Sequence, residues 1–153
     1  EYDSELFVRD GINYYFDLET LKRSNIPLSK LENIIKKYLP KVVGIERVFT
    51  KQEILEGDPT DKIISRLQKM IHHERSPDVI SIQSPGYLFR NPHGTSHGSP
   101  YDYDTHVPLL FSKKDRNPKQ VSDSAETVDI APTIAQILGV SPSVSCDGKP
   151  LEF

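Results

Sequence analysis

The chain has 153 residues, a net charge of −3, and 36% hydrophobic and 27% charged residues, which is about one domain of ordinary globular composition. Its basic residues are spread along the chain, which argues against a nucleic-acid footprint or a polybasic membrane surface, and no apolar run approaches the ~18 residues that a membrane-spanning helix needs. A single cysteine, Cys146, excludes an internal disulfide, and it has no histidine at motif distance to make it a nucleophile. The chain begins at Glu1 with no methionine and no signal-type apolar segment, as expected of a processed protein or a cut piece of a longer one.

In chain order, residues 11–17 (GINYYFD) read as the first strand, being aromatic and β-branched. The cluster Tyr14, Tyr15, Phe16 is expected to pack on alternate faces rather than to form a base-stacking platform. Ser29-x-x-Glu32 resembles a capping box, and Leu28, Leu31, Ile34, Ile35, Tyr38 and Leu39 follow at helical spacing until Pro40 stops the helix. Lys30, Lys36 and Lys37 form its solvated face. Residues 42–49 suggest a second strand, and Thr50-x-x-Glu53 starts a short helix closed by Gly57. Asp58-Pro59 reads as an N-cap with proline in the first turn, ahead of a helix with Ile63, Ile64, Leu67, Met70 and Ile71 on one stripe. His72 and His73 would then end this helix and interact with its dipole.

Residues 79–83 (VISIQ) read as a buried strand, with residues 86–89 continuing or pairing with it. A polar loop covers residues 90–105, and residues 107–111 form a further apolar strand candidate. The last helix opens near Asp129, accepts Pro132 in its first turn and ends at Gly139, with Ile130, Ile134, Ile137 and Leu138 expected inward. The predicted fold class is α/β: a mixed sheet of four or five strands with three to four helices, each apolar stripe needing a sheet face or helix to cover it.

Three of the five histidines, His93, His97 and His106, fall in or beside the polar loop, with Asp102 and Asp104 among them. Histidine and carboxylate are natural zinc ligands, and a long loop anchored at both ends by strands is a place where they can converge. His-x3-His on a loop lacks the shared face that a helix would give it, so the spacing alone is a weak signal. The segment Gly94-Thr95-Ser96-His97-Gly98 is close in composition to a nucleophile elbow. The strand-turn-helix context of a serine hydrolase is missing, and that reading is rejected.

Two segments together resemble the alkaline phosphatase superfamily, in the branch shared with type I phosphodiesterases and nucleotide pyrophosphatases. They are residues 94–111, GTSHGSPYDYDTHVPLLF, and residues 128–139, VDIAPTIAQILG, the latter followed by Gly148-Lys149-Pro150-Leu151. The resemblance implies a larger α/β domain of which this chain is a C-terminal portion. Residues 1–90 would form an inserted cap subdomain, and residues 91–153 the end of the core with its metal-ligand loop. It further implies a secreted or periplasmic hydrolase of phosphate esters with two zinc ions, one of which His106 ligates. Thr95, Ser96 and His97 are candidates for lining the substrate loop, and the motif gives His93 and His97 no ligand role.

The chain departs from the family pattern in lacking the early Asp with its Thr or Ser nucleophile, the D-x-x-x-H segment and the Asp-His-Gly segment. No catalytic nucleophile is therefore assigned within it. One imidazole cannot hold zinc tightly, since catalytic sites use about three protein ligands. The isolated chain is accordingly expected to be inactive, to bind no cofactor of its own, and to associate into homodimers through uncovered apolar faces. The main function predicted is part of a phosphomonoester hydrolase. The alternatives are a phosphodiesterase or nucleotide pyrophosphatase of the same superfamily, or a non-catalytic α/β binding module; a sulfatase fits the loop less well.

Overall fold

The computed structural model describes residues 6–89, 95–112, 114 and 117–152. It divides into two compact units, Glu1–Val107 and Pro108–Phe153.

The first unit is built on a four-stranded sheet in the order β1-β2-β4-β3, with β1 Phe7–Asp10, β2 Asn13–Phe16, β3 Ile45–Thr50 and β4 Val79–Gln83. All three pairings are antiparallel, where a mixed sheet was expected. β1 was not foreseen: it forms a hairpin with β2 across Gly11-Ile12, pairing Asp10 with Asn13. Residues 11–17 therefore supply a turn before they supply a strand.

β4 is the central strand, and Val79, Ile80, Ser81 and Ile82 are all buried because the sheet is covered on both faces. The period-2 alternation of strands sorts their side chains. Tyr14, Phe16 and Val79 pack with Leu21 of α1 (Leu18–Arg23) and with Leu31 and Ile35 of α2 (Leu28–Tyr38). Phe49, Ile80 and Ile82 pack on the opposite face with Ile54 of α3 (Lys51–Leu55) and Leu67 of α4 (Lys62–Gln68). Tyr14 and Phe16 are buried and Tyr15 is exposed, the alternation expected of a strand.

Several boundaries differ from expectation for identifiable reasons. α1 is started by Asp17, whose carboxylate accepts from the Thr20 amide at 2.9 Å and the Thr20 hydroxyl at 2.6 Å. α2 has no capping box, because the extended backbone of Pro27 is its N-cap and Ser29 already lies inside the helix. Thr50 and Glu53 start α3 as read, and the structure shows that they do so as a capping box with both reciprocal bonds present.

At α4 the cap is Asp61 rather than Asp58. Asp58 folds onto Thr60, accepting from its amide and hydroxyl, whereas Asp61 accepts from the amides of Ile63 and Ile64. The helix ends at Gln68, leaving Met70 exposed and placing His72 and His73 beyond the last turn. Their rings stack at 4.9 Å, and His72 Nδ1 accepts from the amides of Glu74 and Arg75, so they shape a turn rather than meet the helix dipole.

Residues 86–89 form no strand. Ser84-Pro85-Gly86-Tyr87 is a tight turn, with the Tyr87 amide donating to the Ser84 carbonyl at 3.0 Å. Gly86 has φ +76°, the value a type II turn requires after proline.

Residues 107–111 likewise form no strand. Pro108 lacks an amide hydrogen, no neighbouring segment among the described residues offers a ladder, and Leu110 is 88% exposed. The second unit carries α6 (Ile130–Leu138), which opens after Asp129 and ends at Gly139 as read from the sequence, and which a 3-10 turn at Thr127–Asp129 precedes.

α6 buries Pro132, Thr133 and Ala135, while Ile134, Ile137 and Leu138 face outward, contrary to expectation. The buried side is set by a polar knot. The Asp129 carboxylate accepts from the amides of Glu126 and Lys149. The Thr133 hydroxyl donates to the Asp129 carbonyl at 2.6 Å and accepts from the Leu151 amide at 2.9 Å. Gly148 crosses so near the Val128 carbonyl that any side chain there would overlap it.

Candidate functional site

The strand β4 ends at Gln83, whose carbonyl accepts from the Tyr101 hydroxyl at 2.6 Å, and Tyr101 also lies 3.0 Å from Glu46 Oε2. Tyr101 packs partly against the Phe49–Ile80–Ile82 cluster, which anchors the segment around it on the α3/α4 face of the sheet. Burial, with the neighbouring Glu46 carboxylate, pushes the Tyr101 phenol up to about 12, and it stays a neutral hydrogen-bonding anchor.

Tyr101 is the N-cap of a single helical turn, α5 (Asp102–Thr105), inside a region expected to be wholly irregular. Arg66 of α4 donates to the Pro100 carbonyl and, at 2.9 Å, to Asp102 Oδ1, while Lys62 stands 3.6 Å from Asp102 Oδ2. These cations, Arg66 first, hold the Asp102 carboxyl below the usual carboxylate range. Asp104 closes the turn from the other side, accepting from the Ser99 amide at 2.6 Å. That bond is the main cause of its lowered pKa, with a smaller contribution from the neighbouring His97. Tyr103 stacks on Tyr101 with ring centroids 5.7 Å apart, and its hydroxyl accepts from the Gly86 amide at 3.2 Å.

His106 is the C-cap of this turn. Its amide donates to the Asp102 carbonyl at 3.0 Å and its side chain is exposed. Thr95, Ser96 and His97 are exposed on the segment leading into the turn, and His93 lies outside the described residues. The structure brings His97 near Asp104. It does not gather His97 and His106 with a third ligand, and among the described residues no three His, Cys, Asp or Glu side chains converge as a metal ion would need. The donor set fits one ligand position and not a complete zinc centre.

Asp102 and Asp104, expected to flank possible ligands, instead serve the loop's own geometry. Arg66, Tyr101 and Tyr103 had no signal in the sequence as loop anchors: Arg66 sits 36 residues from Asp102 and reads only as the polar side of a helix.

No protein-family profile matches the chain. Among curated proteins it is 28% identical to alkaline phosphatase PafA of Elizabethkingia meningoseptica, over 99% of this chain and 28% of that protein. It is 27% identical to a calcium-transporting ATPase of Myroides odoratus, over 95% of the chain and 27% of the relative. It is 29% identical to alkaline phosphatase PhoK of Sphingomonas sp, over 82% and 24%. Among solved structures it superposes on a PafA variant with four substitutions at TM-score 0.84 and 28% identity, covering 95% of this chain and 28% of the other. Wild-type PafA gives TM-score 0.81 at 29% identity, covering 92% and 27%. The chain thus spans about a quarter of the length of the relatives it matches.

Proposed function

From the resemblance to the alkaline phosphatase superfamily, which holds in sequence and in fold over nearly all of this chain, we propose that it is part of a zinc-dependent phosphomonoester hydrolase. The observation that carries the reading is the superposition on PafA at TM-score 0.84 together with 28% identity, a likeness that includes the fold and not only the two motifs. The names of the alkaline phosphatase relatives favour the monoesterase reading over the phosphodiesterase or pyrophosphatase alternative, and over a non-catalytic binding module.

Within this reading, His106 supplies one ligand to one of two zinc ions, and the remaining ligands and the nucleophile come from the rest of a longer protein. Zinc, when bound, would polarise the phosphoryl oxygens and stabilise the attacking and leaving oxygens. The residues of this chain hold the imidazole on a short turn braced by Tyr101, Arg66 and Asp104, with Thr95, Ser96 and His97 exposed on the approach to it. The outward faces of α6 and of residues 109–111 fit a surface that the remainder of such an enzyme would cover. Residues 1–90 would then be the inserted subdomain, and an exported location follows from the same resemblance.

The test is hydrolysis of p-nitrophenyl phosphate. The longer protein carrying this stretch is expected to hydrolyse it in a zinc-dependent manner, and the 153-residue chain alone is expected not to. Zinc-dependent activity in the isolated chain, lost in His106→Ala, would overturn the assignment of the nucleophile to residues elsewhere.

A further inference from the structure

We propose that Arg66 is a positioning residue for His106: its guanidinium bridges the Pro100 carbonyl and the Asp102 carboxylate and so fixes the turn that ends on the imidazole. The inference rests on the reading of His106 as a metal ligand. A helix of four residues is far below the ~12–15 needed for stability on its own, so the conformation of α5 must be imposed from outside. Arg66 imposes it from α4, a firm support whose Leu67 is buried in the core and whose first turn is capped by Asp61.

Asp102 links the two residues. Its side chain takes the Arg66 Nη2 bond at 2.9 Å, and its carbonyl accepts the His106 amide at 3.0 Å. Arg66 thus holds both the residue before the turn's N-cap and the turn's first residue. One planar group reaching two acceptors is a task for arginine; a lysine ammonium can neutralise Asp102 but is not a fork. Lys62 is a case in point: it stands 3.6 Å from Asp102 Oδ2 and makes no bond to the Pro100 carbonyl.

The experiment has two arms. In the 153-residue chain, amide hydrogen exchange at His106 is expected to speed up about tenfold in Arg66→Ala, with the amides of β4 unchanged. In the longer protein, Arg66→Ala is expected to lower kcat for p-nitrophenyl phosphate about tenfold with KM changed less than about twofold, and Arg66→Lys to restore part of the loss. Lys62→Ala, which removes charge and leaves the bridge, should behave like the parent in both arms. Unchanged His106 exchange and unchanged kcat in Arg66→Ala would overturn the proposal, as would a Lys62→Ala loss equal to that of Arg66→Ala. His106→Ala run alongside separates the two claims. If it leaves activity and bound zinc intact, the ligand reading fails; if it abolishes both while Arg66→Ala does nothing, only the positioning role fails.

Discussion

The two units of this chain reach their folds by different physical routes. In the first, β4 lies between β2 and β3, α1 and α2 cover one face, and α3 and α4 cover the other, so the inward side chains of β2, β3 and β4 find apolar partners. In the second, α6 turns its larger apolar side chains outward and is held by Asp129, Thr133 and the backbone of residues 148–151. An amphipathic stripe points inward only where something apolar is there to receive it. Within the described residues of the second unit, the hydrogen bonds of Asp129 and Thr133 set which side of the helix is buried.

Mutations can sharpen that contrast. The largest effect is expected from Ile82→Ala, since Ile82 is 1% exposed at the centre of the sheet: a loss of about 2–5 kcal/mol by chemical denaturation. Next is Thr133→Val, which leaves the Leu151 amide without its acceptor. It should cost about 1–3 kcal/mol and speed proteolysis after residue 147, with the first unit unaffected.

Acid should also act on the second unit's knot. Folding lowers the Asp129 carboxyl pKa, chiefly through the Glu126 and Lys149 amides, so its contribution is full above the ordinary 3.8 and is lost as pH falls through the lowered folded value. Asp61 in the first unit, drawn down to about 2 by Arg47 and by the amides of Ile64 and Ile63, follows the same sign and should keep the α4 cap until near pH 2. Amide exchange at residues 149 and 63 across that range would register both.

The smallest effect on stability is expected from Ile137→Lys and Leu138→Glu together, below about 0.5 kcal/mol each because both side chains face outward. The pair should nevertheless weaken concentration-dependent association of the isolated chain, read by light scattering. An unaltered association would place the contact elsewhere.

What was legible in the sequence follows the same division. β4, the helix start at Thr50–Glu53 and the span of α6 could be read because local pattern and final environment agree there. The face of α6 could not, because its burial is decided by Gly148 and Leu151 rather than by its own periodicity. Residues 107–111 looked like a strand by composition, yet a strand also needs a neighbour's ladder. In the site, the loop and its three histidines were visible, and the motif singled out His106. The scaffold was not visible: Tyr101 reaching Gln83 and Arg66 reaching Asp102 are long-range contacts between residues with no shared pattern.

His106, alone among the loop histidines, is proposed as a metal ligand of a phosphatase-like enzyme. Zinc content and p-nitrophenyl phosphate hydrolysis of the longer protein, compared between parent, His97→Ala and His106→Ala, test it most directly. The expected result is loss of bound zinc and a fall in activity of at least about 100-fold in His106→Ala alone, since even the outer partners of metal ligands are worth about 10–100-fold. Full zinc occupancy with unaltered activity in His106→Ala, or an equal loss in His97→Ala, would contradict it.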